Sequence, residues 1–194
     1  REGQQYDLGE FWDQWYEFPY GVDRGDGYPD RGRMGTTGGS SAWFASTGWP
    51  NRCIARRIRP SDKHTLTDDQ VIIMETNDVV TNYAQAAGQM PASNDVYFRM
   101  SDDGQTYVRA AMTWWKGSSG HIMLLWTDSG PVGEELLGYF PAQTNTPNKN
   151  WQYRLVGNRF EVYMGIEYVG SIVDETNRVS TGHKGWGIGM QAGH

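Results

Sequence analysis

Residues 151–164 have the sequence WQYRLVGNRFEVYM, in which two alternating runs flank Gly157-Asn158. A glycine-containing pair between alternating apolar and polar residues predicts a β-hairpin with a two-residue turn. One face of this hairpin is apolar, and on the other face Arg154 is expected to lie opposite Glu161 as an opposite-charge pair. The predicted apolar pairs are Trp151 with Met164, Tyr153 with Val162 and Leu155 with Phe160. Residues 166–172 are expected to return as a third strand.

A second hairpin is predicted over residues 94–115. Apolar and polar residues alternate over 94–100 and again over 106–115, on either side of Asp102-Asp103-Gly104. A three-residue loop would place Gly104 in the left-handed conformation that such hairpins need. The expected pairs are Val96 with Ala110, Phe98 with Val108, Tyr97 with Arg109, Arg99 with Tyr107 and Ser101 with Gln105, with Met100 on the apolar face.

The composition favours one all-β domain. The chain has 194 residues with 25 glycines, nine tryptophans, eleven tyrosines and six phenylalanines. Many turns and many flat side chains are typical of a β-sandwich. We therefore predict that residues 1–194 form a single antiparallel β-sandwich domain, which belongs to a longer chain because the sequence starts at Arg1.

The same counts exclude several classes of protein. The single cysteine, Cys53, allows neither an internal disulfide nor a zinc site built on thiolates. The net charge of −6, without a stripe of Lys and Arg, argues against nucleic-acid binding. The apolar runs fall far short of the ~20 residues that a membrane span needs, so we expect no span.

Other segments are expected to be short. Leu8, Phe11, Trp12 and Trp15 have helical spacing, which predicts a short helix or turn over residues 8–16. Residues 79–88 could hold another helix or a loop. Residues 52–58 and 66–75 are predicted strands.

The closing segment GHKGWGIGMQAGH, residues 182–194, predicts a strand with one bare face. Trp186, Ile188 and Met190 would form an apolar face, and Gly187 and Gly189 would leave the other face open to another backbone or an aromatic ring. A dinucleotide-binding loop is excluded, since the G-x-G-x-x-G spacing and the following helix are both missing.

Catalytic patterns are missing from the sequence. Gly117-Ser-Ser-Gly-His121 lacks the spacing of a nucleophile elbow, and the four histidines lack metal-ligand spacing. Sandwich glycosidases carry a carboxylate pair on one strand, and neither Glu161 with Glu167 nor Glu134 with Glu135 matches that pattern. We therefore expect a protein that is not an enzyme, with a polysaccharide-degrading glycosidase as the less favoured alternative.

A calcium site has a weak candidate. Asp23, Asp26 and Asp30 cluster among glycines and could surround a calcium ion, but the ligand set is incomplete. A solvated acidic turn is the preferred interpretation, and no cofactor is predicted.

Aromatic residues are the remaining candidates for a ligand site. The second predicted hairpin places Trp115, Tyr107, Arg109 and Tyr97 on the face opposite the apolar one, and Trp49 could add to a sugar-stacking platform. Such a mixture is typical of a recognition surface or a subunit interface. The alternative is a face that is merely covered by a loop or by a neighbouring subunit.

Several stretches together resemble a known family. They are Leu66–Val71, Val96–Met100 with Tyr107–Arg109, Trp151–Arg154 with Gly157–Tyr163, and Gly185–Met190. The chain resembles a minor tail protein module of actinobacteria-infecting (mycobacteriophage-like) phages, of the laminin-G-like or concanavalin-A-like jelly-roll type.

The resemblance implies a virion component at the tail tip or fibre. Its implied tasks are contact with the host surface, binding of a host cell-wall glycan, or holding neighbouring tail proteins together, in a homo-oligomer. A purely structural subunit-docking domain is the main alternative function. The resemblance also implies that the terminal strands, near residues 10–16 and 186–193, lie side by side. It carries no catalytic residue.

Overall fold

The structure is a computed structural model that describes residues 4–5, 12–17, 33–37, 41–45, 52–76, 92–114, 120–130, 133–143 and 149–191. All the regular elements in these ranges are strands. They are β1 (Gln4–Gln5), β2 (Trp12–Glu17), β3 (Arg33–Thr37), β4 (Ser41–Ala45), β5 (Arg52–Arg57), β6 (Gln70–Thr76), β7 (Ala92–Met100), β8 (Tyr107–Trp114), β9 (Gly120–Thr127), β10 (Glu135–Ala142), β11 (Lys149–Val156), β12 (Arg159–Met164), β13 (Glu167–Val173) and β14 (Gly185–Gln191).

The strands form three antiparallel sheets. A seven-stranded sheet has the order β10-β9-β8-β7-β14-β5-β2, and we call it the wide sheet. A four-stranded sheet has the order β13-β12-β11-β6, and we call it the narrow sheet. A small sheet has the order β1-β3-β4.

The wide and narrow sheets enclose the main hydrophobic core. Phe98 of the wide sheet meets Phe160 of the narrow sheet edge to face, with ring centroids 6.2 Å apart. Burying each large apolar side chain is worth about 1.5–3 kcal/mol, so this interface is the main source of stability. The described part of the chain is an antiparallel β-sandwich, as the sequence predicts. Its fully buried core residues are Val96, Phe98, Val108, Ala110, Met112, Ile122 and Leu124 from the wide sheet and Tyr153, Leu155, Phe160 and Val162 from the narrow sheet.

The predicted hairpin of residues 151–164 is confirmed in register, including all three apolar pairs and Arg154 opposite Glu161. Gly157 has a φ of +54°, and Asn158 has a negative φ. This combination matches a type II′ turn, which needs glycine at its first central position. The return strand is also present, as β13. The expected ion pair between Arg154 and Glu161 is replaced by another contact. Glu161 forms a salt bridge with Arg159, and the Arg154 guanidinium lies over the Tyr163 ring.

The prediction for residues 94–115 is correct for the pairs up to Phe98 with Val108, and it is wrong for Arg99 with Tyr107, for Ser101 with Gln105 and for the loop length. Val96 faces Ala110, Phe98 faces Val108, and Tyr97 faces Arg109, as predicted. Arg99 has a φ of +48°, and beyond it the pairing shifts by one, so that the Ser101 amide donates to the Thr106 carbonyl at 2.8 Å. The loop therefore has four residues, with Gly104 left-handed at φ +71°. Met100 leaves the main core and packs in a second cluster with Ile54, Tyr97 and Tyr107.

The Arg99 bulge is held by one buried amide, that of Gln70. The Gln70 Oε1 accepts a hydrogen bond from the Arg99 backbone N–H at 2.7 Å. Its Nε2 donates to the Lys184 carbonyl at 3.0 Å and lies 3.3 Å from the Gly185 carbonyl, next to a register shift in β14. Gln70 is only 1% exposed, so water cannot replace these bonds. One side chain of β6 thus joins the narrow sheet to β7 and β14 of the wide sheet, at an irregular position in each strand.

The Arg99 side chain extends the same connection. It is buried, its Nε donates to the Asp68 carbonyl at 2.7 Å, and its Nη1 donates to the Val179 carbonyl at 2.7 Å. Burial lowers the pKa of Arg99, and the carboxylates of Asp68 and Asp69 oppose that shift. The guanidinium is therefore a structural cation that ties two loops to β7.

Replacing Gln70 by leucine is expected to destabilise the fold. Q70L leaves the buried Arg99 N–H without its acceptor, which costs about 1–3 kcal/mol, and it also removes the hydrogen bonds that the Gln70 Nε2 donates. We expect a loss of about 2–4 kcal/mol in the free energy of unfolding, measured by urea denaturation. The matched control is Q152L in β11, where the glutamine is half-buried. Similar losses for the two variants would contradict the role given to Gln70.

The helix predicted over residues 8–16 is wrong, because residues 12–17 form strand β2. β2 pairs with β5, and Trp12 packs edge to face on Trp186 with centroids 5.5 Å apart. The Arg57 guanidinium also lies 4.9 Å from the Trp12 ring. These tertiary contacts outweigh the helical spacing of the apolar residues. The expectation that the terminal strands lie side by side is wrong, since β5 lies between β2 and β14.

The glycine strand β14 has the close backbone approach that the sequence predicts. A Cβ on Gly187 would stand 2.6 Å from the Ala55 carbonyl oxygen, and one on Gly185 would overlap the Met100 carbonyl. Neighbouring backbone therefore fills the bare face. Trp12 contacts Trp186, which points to the opposite face from the glycines. Residues 79–88 lie outside the described ranges.

A short turn after β13 depends on Asp174. Its carboxylate accepts hydrogen bonds from the Thr176 amide at 3.0 Å, the Thr176 hydroxyl at 2.6 Å and the Val179 amide at 2.9 Å. Burial alone would raise the pKa of Asp174, but these hydrogen bonds outweigh it and hold the pKa below its ordinary value. The turn matters because it fixes the Val179 carbonyl that Arg99 uses.

The stabilisation from Asp174 is expected to disappear in acid. A depressed carboxyl pKa stabilises the fold above the unfolded value of about 3.9, and this contribution is lost as the pH falls through the folded value. D174N should be less stable than the parent at about pH 6, and the difference should shrink towards about pH 2. Urea midpoints across this range would measure it, with D128N at an exposed site as the control. A difference that does not change with pH would contradict the prediction.

Candidate functional site

Three of the predicted ligand-binding residues meet on the second face of the wide sheet, the face that points away from the narrow sheet. Tyr97 lies opposite Arg109 on neighbouring strands. The rings of Tyr97 and Tyr107 are 5.0 Å apart and nearly perpendicular. Tyr97 and Tyr107 are fully buried and Arg109 is 4% exposed, so the chain itself covers this part of the second face.

Arg109 is the centre of a buried charge network. Its Nη2 is 3.0 Å from the Asp95 carboxylate, and its Nη1 is 2.8 Å from the Glu134 carboxylate. The Tyr107 hydroxyl donates to the other oxygen of Glu134 at 2.8 Å. One cation therefore compensates two carboxylates, and both carboxylates are held away from solvent. The Asp95 side chain is fully buried and the Glu134 side chain is 9% exposed, so these ion pairs contribute to the packing of the fold.

The structure thus brings together only some of the predicted ligand-binding residues. Tyr97, Tyr107 and Arg109 are neighbours, as expected, and their burial favours the alternative of a covered face. Trp115 and Trp49 lie outside the described residues. A ligand contact by these five residues stays a prediction.

Removing Arg109 is expected to cost far more stability than removing an exposed arginine. R109A removes the cation that contacts the carboxylates of Asp95 and Glu134, and breaking such a buried ion pair typically costs about 3–5 kcal/mol. R159A removes an arginine that is half exposed, and it should cost below about 1 kcal/mol. Urea denaturation at neutral pH measures both variants. Equal losses would show that the network contributes no more than a surface ion pair.

An exposed polar and aromatic surface lies on the narrow sheet, on the side away from the core. We call it the outer face. One row across the four strands consists of Ile73, Gln152, Tyr163 and Tyr168, and the next row consists of Val71, Arg154, Glu161 and Ser171. Four strands at 4.7–4.9 Å spacing make a surface about 14 Å wide. Tyr168 is 54% exposed.

The side chains of the outer face hold one another in place. The Arg154 guanidinium lies 4.5 Å from the centre of the Tyr163 ring, and the Tyr168 ring meets Tyr163 edge to face at 5.6 Å. The Tyr163 hydroxyl donates to Glu161 at 3.1 Å, and the Tyr168 hydroxyl donates to Ser171 at 2.8 Å. These contacts fix the orientation of both rings before any ligand arrives.

A salt bridge sets the charge of the outer face. The Arg159 Nε is 2.7 Å from Glu161, and this hydrogen bond is the main cause of the lowered pKa of Glu161. The hydrogen bond to Glu161 likewise raises the pKa of Tyr163. Glu161 therefore stays an acceptor and Tyr163 stays a donor over the whole neutral range.

Sequence reasoning places Arg154 and Glu161 on this face but does not find the site. Tyr168 belongs to the strand whose register the sequence leaves ambiguous. The structure shows why, since the β12–β13 register shifts between Val162 and Tyr163. The alternation in WQYRLVGNRFEVYM is the only sequence feature that could have marked the face.

A further exposed tyrosine, Tyr139, lies on the second face at the edge of the wide sheet. Tyr139 is 62% exposed and lies opposite Met123. The His121 ring is 5.7 Å from it. Tyr139 has no neighbouring ion pair like that of the outer face among the described residues, so it is a suitable control for Tyr168.

The described ranges contain neither a cluster of metal ligands nor a membrane-spanning helix. Among the described residues, no three His, Cys, Asp or Glu side chains are grouped closely enough to hold a metal ion. The calcium candidates Asp23, Asp26 and Asp30 lie outside those ranges. Within them, no helix has the length and apolar character needed to cross a membrane.

The sequence matches one family model. It is described as Domain of unknown function (DUF7257), and the match covers residues 1–194. The chain belongs to this family. A comparison with curated protein sequences finds no significant match.

Several solved structures are similar to this member of the DUF7257 family. An apo Crh5 transglycosylase is 9% identical with a TM-score of 0.51, covering 97% of this chain and 67% of its own. A carbohydrate-binding module, CBM66 from Bacillus subtilis, is 10% identical with a TM-score of 0.47, covering 84% and 83%. A family 7 alginate lyase, A1-II′, is 13% identical with a TM-score of 0.37, covering 77% and 73%. At these identities the likeness to the transglycosylase supports the fold alone.

Proposed function

We propose that this chain is a non-enzymatic glycan-binding domain, and that it binds a polysaccharide across the outer face of the narrow sheet. The observation that carries the proposal is the fixed group of Tyr163, Tyr168, Arg154 and Glu161. Its exposed rings and ion pair give a surface that is both apolar and rich in hydrogen-bonding groups.

The chemistry of a sugar suits this surface. A pyranose ring has apolar C–H faces and a rim of hydroxyl groups. Tyr168 offers an exposed ring with only two rotatable side-chain bonds, so binding costs little conformational entropy. Glu161 and Ser171 accept hydrogen bonds, and Arg154 and Gln152 donate them. Because the network already holds these groups, binding does not have to order them.

We further propose that the domain is part of a phage tail and acts at the end that meets the host cell envelope. The resemblance to minor tail proteins supports this assignment. The partners would be other tail proteins, copies of the same chain, and a host cell-wall glycan. The absence of enzymatic activity is proposed from the sequence, which lacks the carboxylate pair on one strand that sandwich glycosidases carry.

Substitutions on the outer face are expected to weaken glycan binding. Base or sugar stacking on an aromatic ring is of the order of 1–3 kcal/mol, by analogy with nucleobases. Y168A should therefore weaken binding of actinobacterial cell-wall polysaccharide at least about fivefold, and R154A should do the same by releasing Tyr163. Isothermal titration with the intact protein, guided by a glycan array, measures the affinities.

The control is Y139A, which removes an equally exposed tyrosine from the other sheet. It should leave the affinity unchanged. Loss of binding in Y139A and not in Y168A would move the site to the wide sheet and overturn the assignment. Release of new reducing ends from the polysaccharide would contradict the non-enzymatic assignment.

A second candidate function, docking of a neighbouring tail subunit, is favoured by the apolar rim of the same face. Val71, Ile73, Val156 and Val173 are between 39% and 65% exposed. Here the outer face would bury apolar surface against protein. Binding of no glycan, together with tail particles that fail to assemble when the chain carries I73K, would select this candidate.

A further inference from the structure

An open cleft of about 340 Å³ lies at one end of the sandwich, where three connections meet. They are the β5–β6 loop, the four-residue β7–β8 loop and the segment before β14. The cleft is separate from the outer face. Its lining residues are His64, Met100, Asp102, Gly182, His183 and Lys184.

Cationic groups from different elements converge on this cleft. The Asp102 carboxylate accepts hydrogen bonds from Arg56 Nη1 at 3.0 Å and His64 Nε2 at 3.0 Å. The hydrogen bond from His64 is the main cause of the lowered pKa of Asp102, with Arg56 and Lys63 adding to it. The hydrogen bond from the Ser101 hydroxyl is the main cause of the lowered pKa of Asp103, and His183 adds only a weaker electrostatic contribution. Lys184 lines the cleft together with His64 and His183, in a chain of net charge −6.

Not all of this cationic capacity is used internally. The Lys184 ammonium has three N–H groups and donates one of them to the Leu66 carbonyl at 3.1 Å. Asp103 is already held by the Ser101 hydroxyl and the Gln105 amide, so it does not compete for the cleft. Asp102 is the carboxylate that lines the cleft, and its side chain is 66% exposed. Such an exposed carboxylate can turn away at little cost.

We propose that this cleft binds a tetrahedral oxyanion, the phosphate or sulfate group of a larger anionic ligand. The anion would take the place of the Asp102 carboxylate on His64 and receive further hydrogen bonds from Lys184 and His183. Lysine and histidine act as point donors, which suits a tetrahedral anion that can be approached from several sides. The site is independent of the outer face and goes beyond the glycan-binding function.

The test uses inorganic sulfate, a tetrahedral anion. Amide chemical shifts of the ¹⁵N-labelled full chain are followed during titration with sodium sulfate at constant pH and ionic strength. We expect saturable shifts at residues 63–65 and 182–184. Inorganic phosphate should shift the same amides.

Two variants should move the affinity in opposite directions. K184Q removes a donor and should weaken sulfate binding about two- to fivefold, whereas D102N removes the competing carboxylate and should strengthen it by a similar factor. K149Q makes the same charge change at the start of β11 and should have no effect. All three positions can be checked for folding by their amide spectra.

Shifts that do not saturate, or that spread over the surface without favouring the cleft, would overturn the proposal. So would a weakening by D102N, because it would show that Asp102 builds the site and does not compete with the anion. Failure of glycan binding at the outer face would leave these outcomes unaffected, and the two proposals can fail separately.

Discussion

The backbone N–H of Arg99 is the group on which much of this sandwich depends. A bulge in β7 removes it from the ladder, and a buried amide without a partner is costly. The Oε1 of Gln70 supplies the acceptor. The Nε2 of the same side chain donates to the carbonyls at the start of β14, the strand next to β7. The bulge turns Met100 away from the main core and sets the length of the β7–β8 loop. That loop in turn carries Asp102 into the cleft.

The outer surfaces of the two main sheets have different chemistry for a structural reason. Around Arg109 the second face of the wide sheet is buried, and its charges are compensated within the chain. Within the described ranges no further layer packs on the outer face of the narrow sheet, so Tyr168 and the ion pair beside it are accessible. At the loop end, Arg56 and His64 from one stretch of the chain meet Asp102 from the β7–β8 loop, and Lys184 comes from the segment before β14.

Local sequence predicts the parts of this structure that local chemistry decides. The Gly157-Asn158 turn and its register follow from the alternation around it, and so do the pairs from Val96 to Val108. The Arg99 bulge could not be predicted, because a left-handed arginine is stable only when a distant glutamine satisfies its amide. The same holds for Trp12, whose strand is decided by Trp186 and Arg57. The candidate sites depend on such distant contacts, and of the residues on the proposed outer face the sequence predicts only Arg154 and Glu161 as neighbours.

The position of β14 has a consequence for how the chain folds. This strand lies between β7 and β5, so it pairs on both sides with segments that precede it by a large part of the chain. Until it arrives, β5 and β7 have open edges facing each other, and β2 is joined only to β5. Closure over such sequence distances is slow, because the entropy of a long loop is lost before any contact is gained. The half-formed sheet is therefore the state in which this protein is most exposed to mispairing with another chain.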